Sequence, residues 1–590
     1  MPGMPDPQRR PALKLPHPMT RTVTVGHAIA AFLERCGVKV AFGVISIHNM
    51  PILDAIAQRG AIRFVSARGE AGATSMADAC ARSTGTLGVV ITSTGTAAGN
   101  AAGGLVEALT AGTPLLHITG QIETPYLDRH LACIHEAPDQ LAMLQAVSKR
   151  AWRVRSADTA LATLQDAVRC ALSAPGGPVS VELPIDIQAA LIALPDDDAG
   201  LAAPPALVAP PDAAALDRLA DTLAGRRRPL LWLGGGARQA GAAVARLVAL
   251  GFGVVTTTQG RGVLAEDHPA SLGAHTLQPA VEAFYGSCDA LLVVGSRLRG
   301  NETLKYQLKL PQPLLRIDAD PSANGRGYPN QQFICADAAL ALAGLADRLE
   351  GRLADRSADR SADRSEGRPQ TDPAFAGDLR RAHDSARAGL RDGLGPYAAL
   401  VDALQARMGR HFVWARDVTL SNSTWGNREL RLFDPLAGVH AMGGGIGLGL
   451  AMGIGAALGA AAYASGRRTW LLSGDGGFVL NLGELACAVQ EQADLTIVLM
   501  NDRAYGVIKN IQDAQYGGRR VYADLHTPDF ALLAQALGFA HRRVTDLADV
   551  AQALDALAPH AGPKMLEVDM GAVGPFKSAF AGPPVKAAQP

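Results

Sequence analysis

Thr469-Trp-Leu-Leu-Ser-Gly-Asp-Gly-Gly-Phe478 reads as a buried strand that runs into a glycine turn, with a helical pattern following over residues 482–492. Strand, glycine turn and helix together make an anion-binding architecture, because free N–H groups at the helix start point outward. Gly474, Gly476 and Gly477 let a backbone approach a diphosphate, while Asp475 at the carboxyl end of the strand reaches a cation that neutralises it. Alone, Gly-Asp-Gly is equally well a tight Asp-Gly turn. The next apolar run, Leu495-Thr-Ile-Val-Leu-Met500, ends in Asn501-Asp502-Arg503-Ala504-Tyr505-Gly506 and brings a second set of oxygen ligands to the same sheet edge. Mg²⁺ takes near-octahedral oxygen, so Asp475, Asp502, a loop carbonyl and two diphosphate oxygens suit it.

Outward from this stretch the same rhythm recurs. Short apolar runs such as Gly88-Val-Val-Ile-Thr92, Pro114-Leu-Leu-His-Ile118 and Pro178-Val-Ser-Val-Glu-Leu183 alternate with helical patterns, and so do residues 229–233, 253–256, 290–295 and 314–318. The spacing predicts an α/β protein of three consecutive parallel-sheet domains at 23–195, 205–347 and 373–590. Residues 1–22 read as a disordered tail, and 348–372, with Ala-Asp-Arg-Ser repeating at 354, 358 and 362, as a low-complexity linker. A chain of 590 residues is too long for one core. Its 55 basic and 55 acidic residues cancel, which disfavours nucleic acid and anionic membranes and favours a small-molecule substrate. Seven scattered cysteines without CxxC spacing fit neither a disulfide framework nor a zinc site, and a cytoplasmic location is expected. The uncharged stretch 441–466 raises a membrane-helix reading. Gly443-Gly444-Gly445-Ile446-Gly447 opposes it at about 1 kcal/mol per glycine, so a glycine loop feeding a buried helix is expected instead.

The Gly-Asp-Gly turn followed by Asn501-Asp502 resembles the thiamine-diphosphate enzyme family that contains acetohydroxyacid synthases, benzoylformate decarboxylase and oxalyl-CoA decarboxylase, with acetolactate-synthase-like large subunits nearest. The likeness runs from Phe42-Gly-Val to Gly574-Pro-Phe and implies the order pyrimidine-binding, middle and diphosphate-binding domain. It implies thiamine diphosphate and Mg²⁺, the metal being held by Asp475, Asp502 and the Ala504 carbonyl, with aspartate at 502 where relatives often have asparagine. Tyr505 lies in the same loop. Ala67-Arg-Gly-Glu70 looks like the start of the family helix whose glutamate exchanges a proton with the aminopyrimidine ring, so Glu70 is implied as the activating acid. Without the resemblance Glu70 is an ordinary first-turn helix acid. Val439-His-Ala-Met-Gly-Gly-Gly-Ile446 resembles the loop that wedges an apolar side chain beneath the cofactor. Ile446 takes the wedge position, the Gly444 carbonyl receives the pyrimidine amino group, and Asn422, Ser423 and Thr424 lie in a segment that approaches the diphosphate. Core packing is the bland alternative for Ile446. The resemblance also implies a homodimer or homotetramer with active sites at the subunit interface.

Several positions depart from that pattern. Phe42-Gly-Val-Ile-Ser-Ile-His48-Asn49 replaces a Pro-Gly turn and lies nearer the acyl-CoA branch, with His48 near the expected pocket as a proton relay or a plain polar contact. Gly95-Thr-Ala-Ala-Gly-Asn100 replaces Gly-Pro-Gly, whereas Gln121 matches. The adjacent-histidine pair of pyruvate and indolepyruvate decarboxylases is missing, which disfavours simple aldehyde release. The middle domain resembles one that holds FAD in acetohydroxyacid synthases, but Leu233-Gly-Gly-Gly-Ala-Arg238 does not fit GxGxxG, so FAD is carried as an unsupported alternative. The expected activity is decarboxylation of a pyruvate-like 2-oxo acid with carboligation to a second carbonyl. The alternatives are a 2-hydroxyacyl-CoA lyase, an oxalyl-CoA decarboxylase-like enzyme, or a non-catalytic paralogue.

Overall fold

A computed structural model describes residues 20–195, 198, 200–202, 205–358, 371–580 and 582. Three parallel sheets follow one another along the chain, as the alternating pattern leads one to expect. In spatial order, the first sheet holds Arg63–Ser66, Val40–Gly43, Gly88–Thr92, Leu115–Gln121, Pro178–Pro184 and Arg150–Arg153. The third sheet holds Gly438–His440, Phe412–Arg416, Arg468–Gly474, Leu495–Asn501, Lys564–Asp569 and Ala540–Val544. Numbered within each sheet, both orders read 2-1-3-4-6-5. The five-stranded middle sheet, Gly253–Thr256, Pro229–Leu233, Ala290–Val294, Leu314–Asp318 and Gln332–Cys335, reads 2-1-3-4-5. In each sheet the first and third strands are neighbours whose connections leave in opposite directions, and ligands bind in the crevice beyond the carboxyl ends at such a switch point.

The central strands are buried throughout, as continuous apolar runs covered on both faces demand. The uncharged stretch forms the helix Gly449–Ala462, which is buried against the helix Glu70–Thr84. A Cβ at Gly455 would stand 2.1 Å from the Met76 carbonyl oxygen, and one at Gly459 would stand 2.8 Å from Cys80 Sγ. The glycines thus serve close helix approach, and among the described residues no helix is long and apolar enough to cross a membrane.

Three boundaries differ from the sequence reading. Thr20–Thr24 is a strand paired antiparallel with Leu191–Pro195, so ladder hydrogen bonds order residues 20–22 of the expected tail; residues up to 19 lie outside the described residues. The helix Ala338–Ala358 runs into the stretch read as linker, because Ala341, Leu342, Leu345 and Leu349 bury one face of it in the middle domain; residues 359–370 lie outside the described residues. The helix Phe375–Leu394, expected with the third domain, packs Phe375, Leu379, Ala382 and Ala386 onto Leu230, Trp232 and Phe284 of the middle domain. Its apolar stripe was legible in the chain, but the sheet it covers was not.

Candidate functional site

The carboxyl ends of Phe412–Arg416 and Arg468–Gly474 meet at the switch point of the third sheet and carry Asp417 and Asp475. Asp475 opens the short helix Asp475–Leu480 and is fully buried. The N–H of Asp502 donates to its Oδ1 at 3.4 Å, and that of Ala504 donates to Asp502 Oδ1 at 3.2 Å. Burial, and then the charge of Asp502, push the Asp475 carboxyl up to about 7, and burial raises Asp502 as well. Two buried carboxylates crowd one another, and a divalent cation between them would reverse the sign of that interaction. Asp475 Oδ2 has no hydrogen-bond partner, nor do the buried Ser421 Oγ and Asn422 Oδ1, which follow Asp417 in the chain. Such orphaned acceptors fit a cation and a polar ligand. The donor set is hard oxygen, which suits Mg²⁺. Among the described residues no group of three or more His, Cys, Asp or Glu could hold a metal ion, so backbone and ligand oxygens would have to complete the shell.

Asn422–Gly426 forms one turn of π-helix, a geometry that recurs at functional sites. The Ser423 N–H donates to the Thr419 carbonyl at 3.0 Å, and the Thr424 hydroxyl is spent on the Leu420 carbonyl at 3.0 Å. The glycines of the turn answer first to protein packing. A Cβ at Gly474 would sit 2.8 Å from Thr419 Oγ1, at Gly476 2.9 Å from the Tyr505 ring, and at Gly477 2.6 Å from Asp417 Oδ2.

Asp417 went unremarked in the sequence, where one acid after an apolar strand carries no distinguishing signal. Its Oδ1 accepts from the N–H of Val418 at 2.7 Å and of Gly447 at 2.9 Å, and Ser473 Oγ donates to its Oδ2 at 3.3 Å, so it ties the 443–447 loop to the Gly-Asp-Gly turn. In that loop Gly444 lies at φ +81° with no atom within 4 Å of an added Cβ, a backbone that L side chains adopt only at a cost. Ile446 is 40% exposed, so it is not a core residue.

Burial pushes the Asp417 carboxyl up to about 6, above the ordinary 3.8. The folded state therefore holds this proton more tightly than the unfolded chain, and the contribution of Asp417 to stability falls as pH rises from about 4 to 6 and is level above. Asp417→Asn removes the slope. Its stability relative to wild type should improve by roughly 3 kcal/mol across that window, read from paired denaturation curves at pH 4 and 6.5; parallel curves would refute the assignment.

The first domain supplies a second cluster. Glu70 begins the helix Glu70–Thr84, is half-buried, and accepts from Asn100 Nδ2 at 3.1 Å. Its N-cap, Gly69, has no side chain to offer. The buried Glu484 of the third domain accepts instead from the N–H groups of Arg68 and Gly69, each at 3.0 Å. Burial raises the Glu484 pKa, while these two N–H donors lower it. A Cβ at Gly72 would lie 2.2 Å from Glu484 Oε1. Gly72→Ala should cost about 1–3 kcal/mol by overpacking, and Gly72→Ala with Glu484→Ala should cost less than the two singly, since both break one contact. Additive costs in that double-mutant cycle would sink the cap.

His48 is buried, its ring meeting His135 edge-on at 5.4 Å and its Nδ1 lying 3.5 Å from Ser93 Oγ. Burial, and then His135, lower its pKa. A Cβ at Gly120 would stand 2.3 Å from the His48 carbonyl oxygen, which brings His48 beside Gln121. Gln121 Oε1 accepts from Thr94 Oγ1 at 3.0 Å and from the Ile122 N–H at 2.8 Å, so this side chain already braces the loop after Gly88–Thr92. In the middle domain, Gly235, Ser296, Arg299, Asp318 and Asp320 line a cavity of about 230 Å³ that also reaches Met442.

Residues 23–143 match the model described as thiamine pyrophosphate enzyme, N-terminal TPP binding domain, residues 216–345 match the central domain, and residues 419–568 match the C-terminal TPP binding domain. The chain is 31% identical over 564 residues to a probable 2-ketoarginine decarboxylase of Pseudomonas aeruginosa, which covers 94% of this chain and 95% of that protein. It is 28% identical over 560 residues to acetolactate synthase 2, chloroplastic, of Zea mays, covering 91% and 84% respectively. It is 27% identical over 554 residues to acetolactate synthase, chloroplastic, of Arabidopsis thaliana, covering 91% and 80%.

Proposed function

The chain belongs to the thiamine pyrophosphate enzyme family, and on that premise we propose that it is a cytoplasmic, Mg²⁺-dependent enzyme that decarboxylates a 2-oxo acid and joins the remaining acyl group to a second carbonyl. The observation that carries the reading is the orphaned Asp475 Oδ2, on a carboxylate crowded by Asp502 at the switch point of the domain matched to TPP binding. When bound, thiamine diphosphate supplies the electron sink for decarboxylation. Asp475, Asp502 and the Ala504 carbonyl would hold the cation, and Asn422, Ser423, Gly474, Gly476 and Gly477 would surround the diphosphate. Ile446 would pack against the cofactor, the Gly444 carbonyl would accept from its pyrimidine amino group, and Tyr505 would flank the turn. Glu70 would take up and release the proton of the aminopyrimidine, and Gln121 and His48 would line the substrate side. Gly234-Gly-Gly-Ala-Arg238, whose glycines line the middle cavity, does not fit GxGxxG, so no step is assigned to FAD.

Two half-sites, around Glu70 and around Asp475, suit a homodimer or homotetramer in which one chain's Glu70 faces another's Asp475. Ile47, Met50, Ile446 and Leu480 are exposed apolar side chains along these segments, and association would remove them from water. The test is CO₂ release and acetolactate formation from pyruvate, with purified protein, thiamine diphosphate and Mg²⁺ and a cofactor-free control. Both products, dependent on cofactor, are expected. The relative named 2-ketoarginine decarboxylase favours a second reading, simple decarboxylation of a guanidino 2-oxo acid. CO₂ from 2-ketoarginine without acetolactate from pyruvate would establish that reading, and turnover confined to oxalyl-CoA or 2-hydroxyacyl-CoA would replace both.

A further inference from the structure

Residues 444–446 form an arch that hangs between two fixed points. On one side Gly447 is held inside its own domain, its N–H by Asp417 and its carbonyl by Asn481 Nδ2 at 2.7 Å. On the other side Met442 and Gly443 are held from the two other domains. Glu107, on the first-domain helix Thr96–Ala111 and only 2% exposed, accepts the Met442 N–H at Oε1 and the Gly443 N–H at Oε2, the latter at 2.7 Å. A Cβ at Gly443 would lie 2.9 Å from that Oε2, so the first glycine of the run is the one that lets the carboxylate reach the backbone.

The Met442 carbonyl accepts from Arg299 Nη1 of the middle domain at 3.0 Å, and the same guanidinium donates through Nη2 to the Thr110 carbonyl at 2.8 Å. Thr110 lies in the last turn of the Glu107 helix, where carbonyls lack helical partners. Arg297 Nη1 donates to the same carbonyl at 3.1 Å. Between the two arginines, Leu298 is fully buried at φ +47°, a left-handed backbone that a leucine keeps only where its surroundings impose it. The loop is thus shaped to send both guanidinium groups to one point. Around Glu107 stand the buried Arg82, 3.9 Å from Oε1, and its partner Asp78, 3.1 Å from Arg82. One peptide of the third domain is therefore gripped by its N–H side from the first domain and by its carbonyl from the middle domain.

We propose that Glu107 and Arg299 are positioning residues that set the arch 444–446 from outside its own domain, so that cofactor affinity depends on the junction of all three domains. The inference rests on the reading of Gly444 and Ile446 as cofactor contacts, and neither Glu107 nor Arg299 is assigned a contact with the cofactor itself. It gives the middle domain, whose cavity carries no step above, a mechanical part in the site.

The test compares wild type, Glu107→Gln and Arg299→Lys by amide hydrogen exchange of segment 441–447 in the cofactor-free protein, and by thiamine diphosphate titration at saturating Mg²⁺. Glutamine keeps one acceptor of two, and lysine one donor point instead of a fork. Exchange at Met442 and Gly443 should be about ten-fold faster in Glu107→Gln, and cofactor affinity about ten-fold weaker in both variants. Exchange in the helix Gly449–Ala462 should be unchanged. Saturating cofactor should restore turnover, which it would not do for a chain that is merely damaged; Arg299→Lys carries the test if Glu107→Gln does not fold. Faster exchange with unchanged affinity overturns the proposal, as do unprotected Met442 and Gly443 amides in wild type. Wild-type protein that binds no thiamine diphosphate instead overturns the family-based reading of the site, whatever the exchange shows.

Discussion

Glu70→Gln is expected to hold thiamine diphosphate within about three-fold of wild type and to lose about 10²- to 10⁴-fold in turnover, the range for a positioned acid-base group. The two halves of this expectation have different origins. The helix it begins is held from outside by Glu484, and Asn100 can still donate to the glutamine oxygen, so the backbone and the cradle survive the change. What disappears is the carboxyl group that would take up and release the proton. The measurement that separates the two is exchange of the cofactor C2 proton in the bound state, followed by NMR beside steady-state turnover and a binding titration. Slow C2 exchange with normal binding supports the role. Unchanged turnover would leave Glu70 as the ordinary first-turn helix acid that its position also allows.

Asp475→Ala should act with opposite signs in the cofactor-free and loaded protein. With cofactor, removal of a buried carboxylate whose Oδ2 has no protein partner takes away a proposed cation ligand, and Mg²⁺-dependent affinity for thiamine diphosphate should fall by about 10²-fold or more. Without cofactor the same change relieves the crowding against Asp502 that pushes Asp475 up to about 7. The cofactor-free variant should then melt about 3–6 °C above wild type at pH 8, above the value to which Asp475 is pushed. Equal cofactor affinity with and without Mg²⁺ in wild type would refute the cation site. A cofactor-free variant less stable than wild type would show that Asp475 supports the fold.

The chain announces its three α/β units because the signals involved are local. Buried parallel strands are short apolar runs, turns are marked by glycine, and Thr469-Trp-Leu-Leu-Ser-Gly-Asp-Gly-Gly-Phe478 packs strand, turn and helix start into ten residues. Asp475, Asp502 and Ala504 stand out as candidates in the sequence for the same reason: each sits at or just past a strand end, and strand ends are visible. The exposure of Ile446 does not, since an isoleucine beside an apolar helix looks the same in sequence whether packed in a core or held out on a glycine arch.

Tertiary structure alone decided which carboxylates hold the site. Glu107 meets Met442 across 335 residues, and Glu484 meets Arg68 across 416. Asp417, Glu107 and Glu484 each satisfy backbone N–H groups of a distant loop, and in the sequence they are acids among 55, indistinguishable from those on the surface. The same holds for the helix Phe375–Leu394, whose apolar stripe is plain but whose partner sheet precedes it in the chain. Periodicity fixes which face of an element is buried, but the group opposite that face is chosen by how the domains dock, and no local pattern encodes it.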